Sequence, residues 1–310
     1  MRIFVTGASG FIGSAVVREL LDAGYRVLGL ARSEASAASL ADIGVQVHRG
    51  DLEDLESLRA GVGMSDGVIH TAFNHDFSTF LANCEMDRRA VETMGAALSG
   101  SDRPFLVTSG VGILSVDHVR TEWDRPAPGT PRAASEEAAH AAAAQGVRVS
   151  VLRHAPSVHG LGDHGFVPLL IDFAREKGVS AYVGEGDNLW PAVHRLDAAR
   201  LHLLALEKGG ARGSDGESAR YHTVAEEGVP FREIAETIGR GLNVPVVGMS
   251  SEEAAGHFGW FMHFAAMNMP ASSLRTREEL GWEPRAIGLL EDIRANGYFD
   301  REGEASVVRG

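Results

Sequence analysis

The chain has 310 residues, 44% apolar and 23% charged, an ordinary globular balance with length for one large domain or two smaller ones. Its 29 basic and 42 acidic residues leave a net charge of −13, which argues against nucleic acid or an anionic membrane face as a partner. The lone cysteine, Cys84, rules out an internal disulfide and a cysteine-rich zinc site; with no long apolar run and no signal-peptide core in MRIFVTGASG, a cytoplasmic, reducing setting is expected.

In chain order, Arg2–Thr6 reads as a strand and Phe11–Ala23 as a helix with Ile12, Val16 and Leu20 on one face. Strands are predicted at Tyr25–Ala31, Val45–Arg49, Asp66–Thr71 and Pro104–Ser109, with helices at Ser36–Ile43 and Leu81–Leu98 between them. The alanine-rich residues 131–146 predict a further helix, and Val147–Leu152 a sixth strand. This alternation predicts an α/β fold, a Rossmann-type doubly wound parallel sheet, with residues 1–155 as the cofactor domain. Residues 156–310 are expected to form mainly a smaller C-terminal substrate domain, some segments returning to the first. There the pattern predicts helices at Phe166–Glu176, Asp197–Glu207, Pro230–Leu242 and Ser251–Phe258, and short strands at Tyr221–Val224 and Val244–Val247. Residues 209–218 read as a flexible polar loop, and the tail after Asp300 as frayed.

Thr6-Gly7-Ala8-Ser9-Gly10-Phe11-Ile12-Gly13 joins the first strand to the first helix. Gly7 allows a tight turn, Gly10 a close backbone approach to a pyrophosphate, and Gly13 close packing of helix on sheet, while the helix N-terminus offers unpaired N–H groups. A dinucleotide is therefore expected here, held by Gly7, Ser9, Gly10, Phe11, Ile12 and Gly13. The second strand ends in Ala31-Arg32-Ser33 rather than in an acidic residue. Arg32 and Ser33 suit a 2′-phosphate, so NADP is the expected cofactor and NAD the alternative. Asp51 after the third strand could accept from an adenine amino group or cap the helix that follows.

TGASGFIG, Asp51-Leu52 and Asp66-Gly67-Val68-Ile69-His70-Thr71-Ala72 resemble the extended short-chain dehydrogenase/reductase family, also called NAD-dependent epimerase/dehydratases. Leu152–Gly160, Val193-His194-Arg195-Leu196-Asp197-Ala198-Ala199 and Leu280-Gly281-Trp282-Glu283-Pro284 are similar to later segments of that family. The resemblance implies a cofactor site that also takes in Leu52, Thr71, Ala72, Phe73, Thr108, Ala155 and Ser157. The family's proton donor is a tyrosine followed four residues later by a lysine. Here the four tyrosines Tyr25, Tyr182, Tyr221 and Tyr298 are followed at that spacing by Gly29, Gly186, Ala225 and Glu302. Aligned through Glu136, the tyrosine position falls near Pro128 and the lysine position near Arg132, and the active-site serine falls on Ser109 or Gly110.

Reduction of a carbonyl needs a proton for the developing alkoxide, and without the tyrosine an imidazole or water must supply it. The candidate catalytic residues are Ser109, His159 and His154. Asn74 and His75 after the fourth strand, with Gly110, Val111, His164, Trp190 and His194, are the candidate substrate contacts. No metal is expected: His154, His159, Asp163 and His164 lack helical ligand spacing and are interrupted by proline and glycine. Gly256–Phe264 is rich in aromatic residues and reads as core or as a subunit interface, the assembly then being a homodimer; the alternative is a cap over the substrate pocket. The leading expectation is an NADP(H)-preferring oxidoreductase acting on a small carbonyl or hydroxyl compound. The alternatives are a non-catalytic NADP(H) redox sensor and an epimerase/dehydratase with bound NAD.

Overall fold

A computed structural model describes residues 1–210 and 218–300, so most of the expected polar loop and the tail after Asp300 lie outside the described residues. The first half runs β1 (Arg2–Thr6), α1 (Phe11–Asp22), β2 (Arg26–Ala31), α2 (Glu34–Asp42), β3 (Gln46–Arg49), α3 (Leu55–Gly63), β4 (Gly67–His70), α4 (Phe80–Leu98), β5 (Pro104–Gly110), α5 (Ala134–Ala144) and β6 (Arg148–His154). The second half adds β7 (Ser157–His159), α6 (Phe166–Lys177), β8 (Ser180–Val183), β9 (Leu189–His194), α7 (Arg195–Lys208), β10 (Ala219–Thr223), β11 (Glu226–Pro230), α8 (Phe231–Leu242), β12 (Val246–Met249), α9 (Ser251–Phe258), α10 (Met262–Ala266), α11 (Leu274–Leu280) and α12 (Leu289–Ala295).

Seven strands form one sheet in the order β3-β2-β1-β4-β5-β6-β10, every neighbouring pair parallel. Side chains alternate across β1 as the pleat requires. Ile3 and Val5 face a core shared with Val16 and Leu20 of α1 and Leu203 of α7, while Phe4 faces Leu58 of α3, Val91 and Met94 of α4 and Ala139 of α5. Helices thus cover both faces, which is why these strands read as nearly continuous apolar runs. The sheet is the doubly wound parallel arrangement expected for the sequence. Strand order reverses between β1 and β4, and the crevice outside their carboxyl ends is where such sheets bind ligands.

After β6 the chain builds a second core around Trp190, Phe231, Phe258 and Phe261, with the small sheets β11-β9-β7 and β12-β8. It returns to the large sheet twice: β10 pairs with β6, and α7 joins the core of α1 together with Trp282. Strands β7, β9 and β11 were not anticipated. They are three to six residues long and carry His159, Pro191, His194, Glu226 and Glu227, so neither length nor alternation marks them.

Candidate functional site

The glycine-rich turn has the geometry that its residues suggest. Gly7 sits at φ 68°, and Gly10 N–H donates to Gly7 O at 2.9 Å. A Cβ on Gly13 would lie 2.0 Å from Gly7 O, and one on Gly7 would lie 2.8 Å from Ala72 N. Helix α1 has Gly10 as its N-cap, with no side-chain cap and no acidic residue in its first turn. Its N-terminal N–H groups therefore face the crevice with no side chain to neutralise them, beside exposed Ser9 and Gly10. These features fit a dinucleotide pyrophosphate.

At the carboxyl end of β2, Arg32 is exposed directly after the strand, and Ser33 is the N-cap of α2, accepting from Ser36 N at 3.1 Å. Arg49, the last residue of β3, pairs in register with Ala31 and donates to Ser33 O at 2.8 Å and to Glu34 at 2.7 Å. Sequence reasoning missed this second arginine, because only the register of β2 on β3 brings it beside Ser33. The helix after β3 is capped by Asp54, not Asp51. Asp51 instead accepts the backbone N–H groups of Glu53 and Asp54 on Oδ1, at 2.8 and 2.9 Å, which leaves Oδ2 without a hydrogen bond among the described residues. Leu52 packs its half-buried side chain on the core beneath.

The ends of β4 and β5 carry a buried polar chain. Thr6 Oγ1 lies 2.6 Å from His70 Nδ1, and His70 Nε2 lies 2.8 Å from Asp87 Oδ1. Asp87 Oδ2 accepts from Ser135 Oγ and from Arg132 Nη1, the latter at 3.1 Å. Arg132 also donates to Ser135 Oγ at 2.6 Å and to Thr108 O at 3.1 Å, and its guanidinium lies 4.2 Å over the Phe73 ring. Burial opposes the charge on Asp87, but His70, Arg132 and Ser135 outweigh it and hold the carboxyl below its ordinary value. Ser109 is buried on β5, and its hydroxyl has no hydrogen-bond partner. Gly110 and Val111 follow it, the valine fully buried. His75 packs edge-on to Phe73, and burial, Arg132 and His164 all lower its pKa. Asn74 donates to Asn83 at 3.2 Å and accepts from Asp76 N at 3.1 Å, and Thr71 Oγ1 donates to Thr6 O at 2.8 Å.

The other histidines are distributed differently. His154 is buried and stacks on His202 of α7, ring centroids 5.2 Å apart, with neither nitrogen hydrogen-bonded. His159 pairs with Asp292 of α12 at 2.7 Å and lies edge-on to His194, whose Nδ1 accepts from Leu196 N at the start of α7. Both histidines named as catalytic candidates thus sit in buried pairs, while Ser109 is the candidate at the end of β5. His164 is exposed and packs edge-on to Phe11 of the glycine-rich turn, whose ring also carries Arg195 at 4.6 Å. Ser157 is buried with its hydroxyl unpartnered, and Ala155 N donates to Thr223 O at 3.1 Å. Trp190 is fully buried in the second core, 5.0 Å from Phe231. Phe77 spans the two halves, stacked on Trp260 at 5.0 Å and edge-on to Phe264 at 5.6 Å. No tyrosine takes part at the ends of β4 and β5. Tyr25 donates to Glu207, Tyr182 packs in the second core, Tyr221 is buried in β10, and Tyr298 donates to Asp163.

Residues 3–216 match the NAD dependent epimerase/dehydratase family. An uncharacterized protein of Schizosaccharomyces pombe is 50% identical over 301 residues, covering 96% of this chain and 100% of that one. A 4-hydroxy-2-methyl-3-oxo-4-farnesyl-3,4-dihydroquinoline-1-oxide ketoreductase of Stigmatella aurantiaca is 30% identical over 276 residues, 84% of this chain and 80% of that one. The fold is shared with the dTDP-glucose 4,6-dehydratase of Streptomyces venezuelae, solved with NAD and TYD bound: TM-score 0.74, 21% identity, 98% of each chain covered. Among the described residues no helix is long and apolar enough to cross a membrane.

Proposed function

Since the chain belongs to the NAD dependent epimerase/dehydratase family, we propose that it is an NADP(H)-preferring oxidoreductase that acts on a small carbonyl or hydroxyl compound with a proton donor other than tyrosine. The observation that carries the NADP(H) preference is the placement of Arg32, Ser33 and Arg49 together at the carboxyl ends of β2 and β3. Two guanidinium groups and a hydroxyl suit a 2′-phosphate, and the neighbouring carboxylate, Glu34, is held by Arg49. The uncapped start of α1 and Ser9 would hold the pyrophosphate, and Asp51 Oδ2 would accept from the adenine amino group. When bound, the nicotinamide would supply or take the hydride. At that end the unpartnered Ser109 hydroxyl is placed to hydrogen-bond a substrate oxygen. His75, packed on Phe73 near Arg132, and the exposed His164, packed on Phe11, are the proposed proton carriers. Phe73, Phe77, Trp260 and Phe264 give the crevice an aromatic wall suited to an apolar substrate body, in keeping with a ketoreductase among the relatives.

Titration of the recombinant protein with NADPH and NADH, followed by nicotinamide fluorescence, tests this directly. NADPH should bind at least about tenfold tighter, and Arg32→Asp should remove the difference. A protein that binds neither dinucleotide would sink the reading. The second reading, a non-catalytic NADP(H) sensor, draws on the absence of any tyrosine at the ends of β4 and β5. It would gain if both redox forms bind but no member of a broad carbonyl panel is turned over.

A further inference from the structure

A dinucleotide whose pyrophosphate lies on the β1–α1 turn and whose adenine lies toward β2 and β3 places its nicotinamide toward β4 and β5. Among the described residues the cation held there is Arg132, bonded to Thr108 O at the end of β5. Neither lysine is there: Lys208 donates to Leu280 O at 3.0 Å, and Lys177 closes α6. Arg195, over the Phe11 ring, is committed to Ser14 Oγ of α1 at 2.9 Å and to Leu161 O at 2.9 Å.

Arg132 is held unusually firmly for a side chain on a helix-leading turn. Of its five N–H donors, two on Nη1 go to Asp87 and Ser135 and one on Nη2 goes to Thr108 O. The Phe73 ring closes one face of the guanidinium. Nε–H and the second Nη2–H have no partner among the described residues. Asp87 lies behind, its side chain 1% exposed against 16% for Arg132, so the pair presents its positive end outward. His70 occupies the other oxygen of Asp87 and is fixed in turn by Thr6, the residue before Gly7. A chain of contacts thus runs from the glycine-rich turn to the guanidinium, and none of its members needs a ligand to be in place.

We propose that Arg132 is a fixed positive charge facing the nicotinamide end of the cofactor, that it makes the protein favour the reduced over the oxidised dinucleotide, and that Asp87 and His70 are positioning residues acting through it. The physical reason is that the oxidised ring carries one positive charge more than the reduced ring, so a guanidinium locked beside it repels the oxidised form selectively. The inference rests on the cofactor reading above, but not on the identity of any substrate.

The test is the ratio of the dissociation constants for NADP⁺ and NADPH, measured by calorimetry on the full chain. The wild type should bind NADPH tighter. Arg132→Met should lower the ratio about tenfold, which corresponds to about 30 mV in the two-electron potential of the bound couple. Arg132→Lys should keep most of the ratio, because it keeps the charge. His70→Leu, which releases Asp87 without removing either charge of the ion pair, should lower it to an intermediate value, because the guanidinium loses part of its anchor. General damage to the fold weakens both redox forms alike and leaves the ratio unmoved, so the ratio separates a charge effect from a structural one. Where Arg132→Met does not fold, Arg132→Gln removes the charge with a polar side chain, and the same fall is expected. Equal ratios in wild type and either neutral variant would overturn the proposal while leaving the oxidoreductase reading intact. Failure of the wild type to bind any nicotinamide dinucleotide would overturn both.

Discussion

His70 Nε2 stands 2.8 Å from Asp87 Oδ1, with both side chains 1% exposed. With the ring proton on Nε2, every polar atom of the pair is satisfied: the imidazole donates to the carboxylate, and its Nδ1 accepts the Thr6 hydroxyl. Removing the carboxylate leaves both His70 and Arg132 without their shared partner in a dry setting. Asp87→Ala should therefore destabilise the protein by about 3–5 kcal/mol, and Asp87→Asn, which keeps one acceptor, by less. Urea unfolding at neutral pH measures both. The folded-state pKa of Asp87 is depressed, so its contribution is present above the ordinary carboxylate range and lost as pH falls through the depressed value. The gap between wild type and Asp87→Ala should close in acid, and a gap that widened there would contradict the assignment.

The buried histidines predict a second pH effect of the same sign at higher pH. Burial lowers His202 from 6.5 to about 4 and, with help from Arg153, lowers His222 to about 3. Burial and His202 together also push His154 well below 6.5. Each imidazole is neutral when folded and takes up a proton more readily when unfolded. Stability is thus complete above pH 6.5 and falls as pH drops toward the folded-state values, since the unfolded chain binds more protons in that window. For His202 alone the fall amounts to about 3 kcal/mol. His202→Leu should remove close to one proton from the slope of stability against pH between pH 6 and 5. An unchanged slope would show that His202 is charged in the fold.

How far such features were legible in the sequence depends on how local they are. The β1–α1 turn was readable because Gly7, Gly10 and Gly13 act within one segment, and the missing tyrosine–lysine pair was readable because it is a spacing. Arg132 could be placed near the lysine position, but its anchors could not: Asp87 is 45 residues away, and Thr108 is on another strand. Arg49 reaches Ser33 only through the register of β2 on β3. His159 finds Asp292 across 133 residues, so the carboxylate that a candidate proton donor meets in the fold is not readable from its neighbours in the chain. Arg49 carried no periodic or motif signal, and the motifs that contain His70, His154 and His159 do not name their partners, because those are set by tertiary contacts.

The turn itself makes a sharp prediction. A methyl group on Gly13 would meet Gly7 O at 2.0 Å and Thr71 Oγ1 at 3.0 Å, and the first obstacle is backbone that cannot rotate away. Gly13→Ala must push α1 off the sheet or open the turn, costing about 1–3 kcal/mol as overpacking usually does. Dinucleotide affinity should fall more than tenfold, because the N–H groups of the helix start move with it. Gly24→Ala is a useful control. Gly24 has open space but φ 82°, so strain should lower stability there without touching affinity. Equal losses of affinity in the two variants would mean that the turn is not the phosphate cradle.

Arg49 separates a binding role from a structural one. Its ion pair with Glu34 is exposed, with side chains 47% and 93% accessible, so the pair contributes less than about 1 kcal/mol to stability. Its bond to Ser33 O steadies the N-cap of α2, another small term. Arg49→Ala should therefore leave the unfolding midpoint nearly unchanged. If its guanidinium helps to hold a 2′-phosphate, the same variant should weaken NADPH by about three- to tenfold at low salt and leave NADH as it was. The loss should shrink as salt is raised, because the contact is electrostatic and solvent-facing. Parallel titrations of both dinucleotides at two ionic strengths decide the matter. Equal weakening of NADPH and NADH would assign Arg49 to the shape of the loop, and Arg32 would then be left as the sole guanidinium for the phosphate.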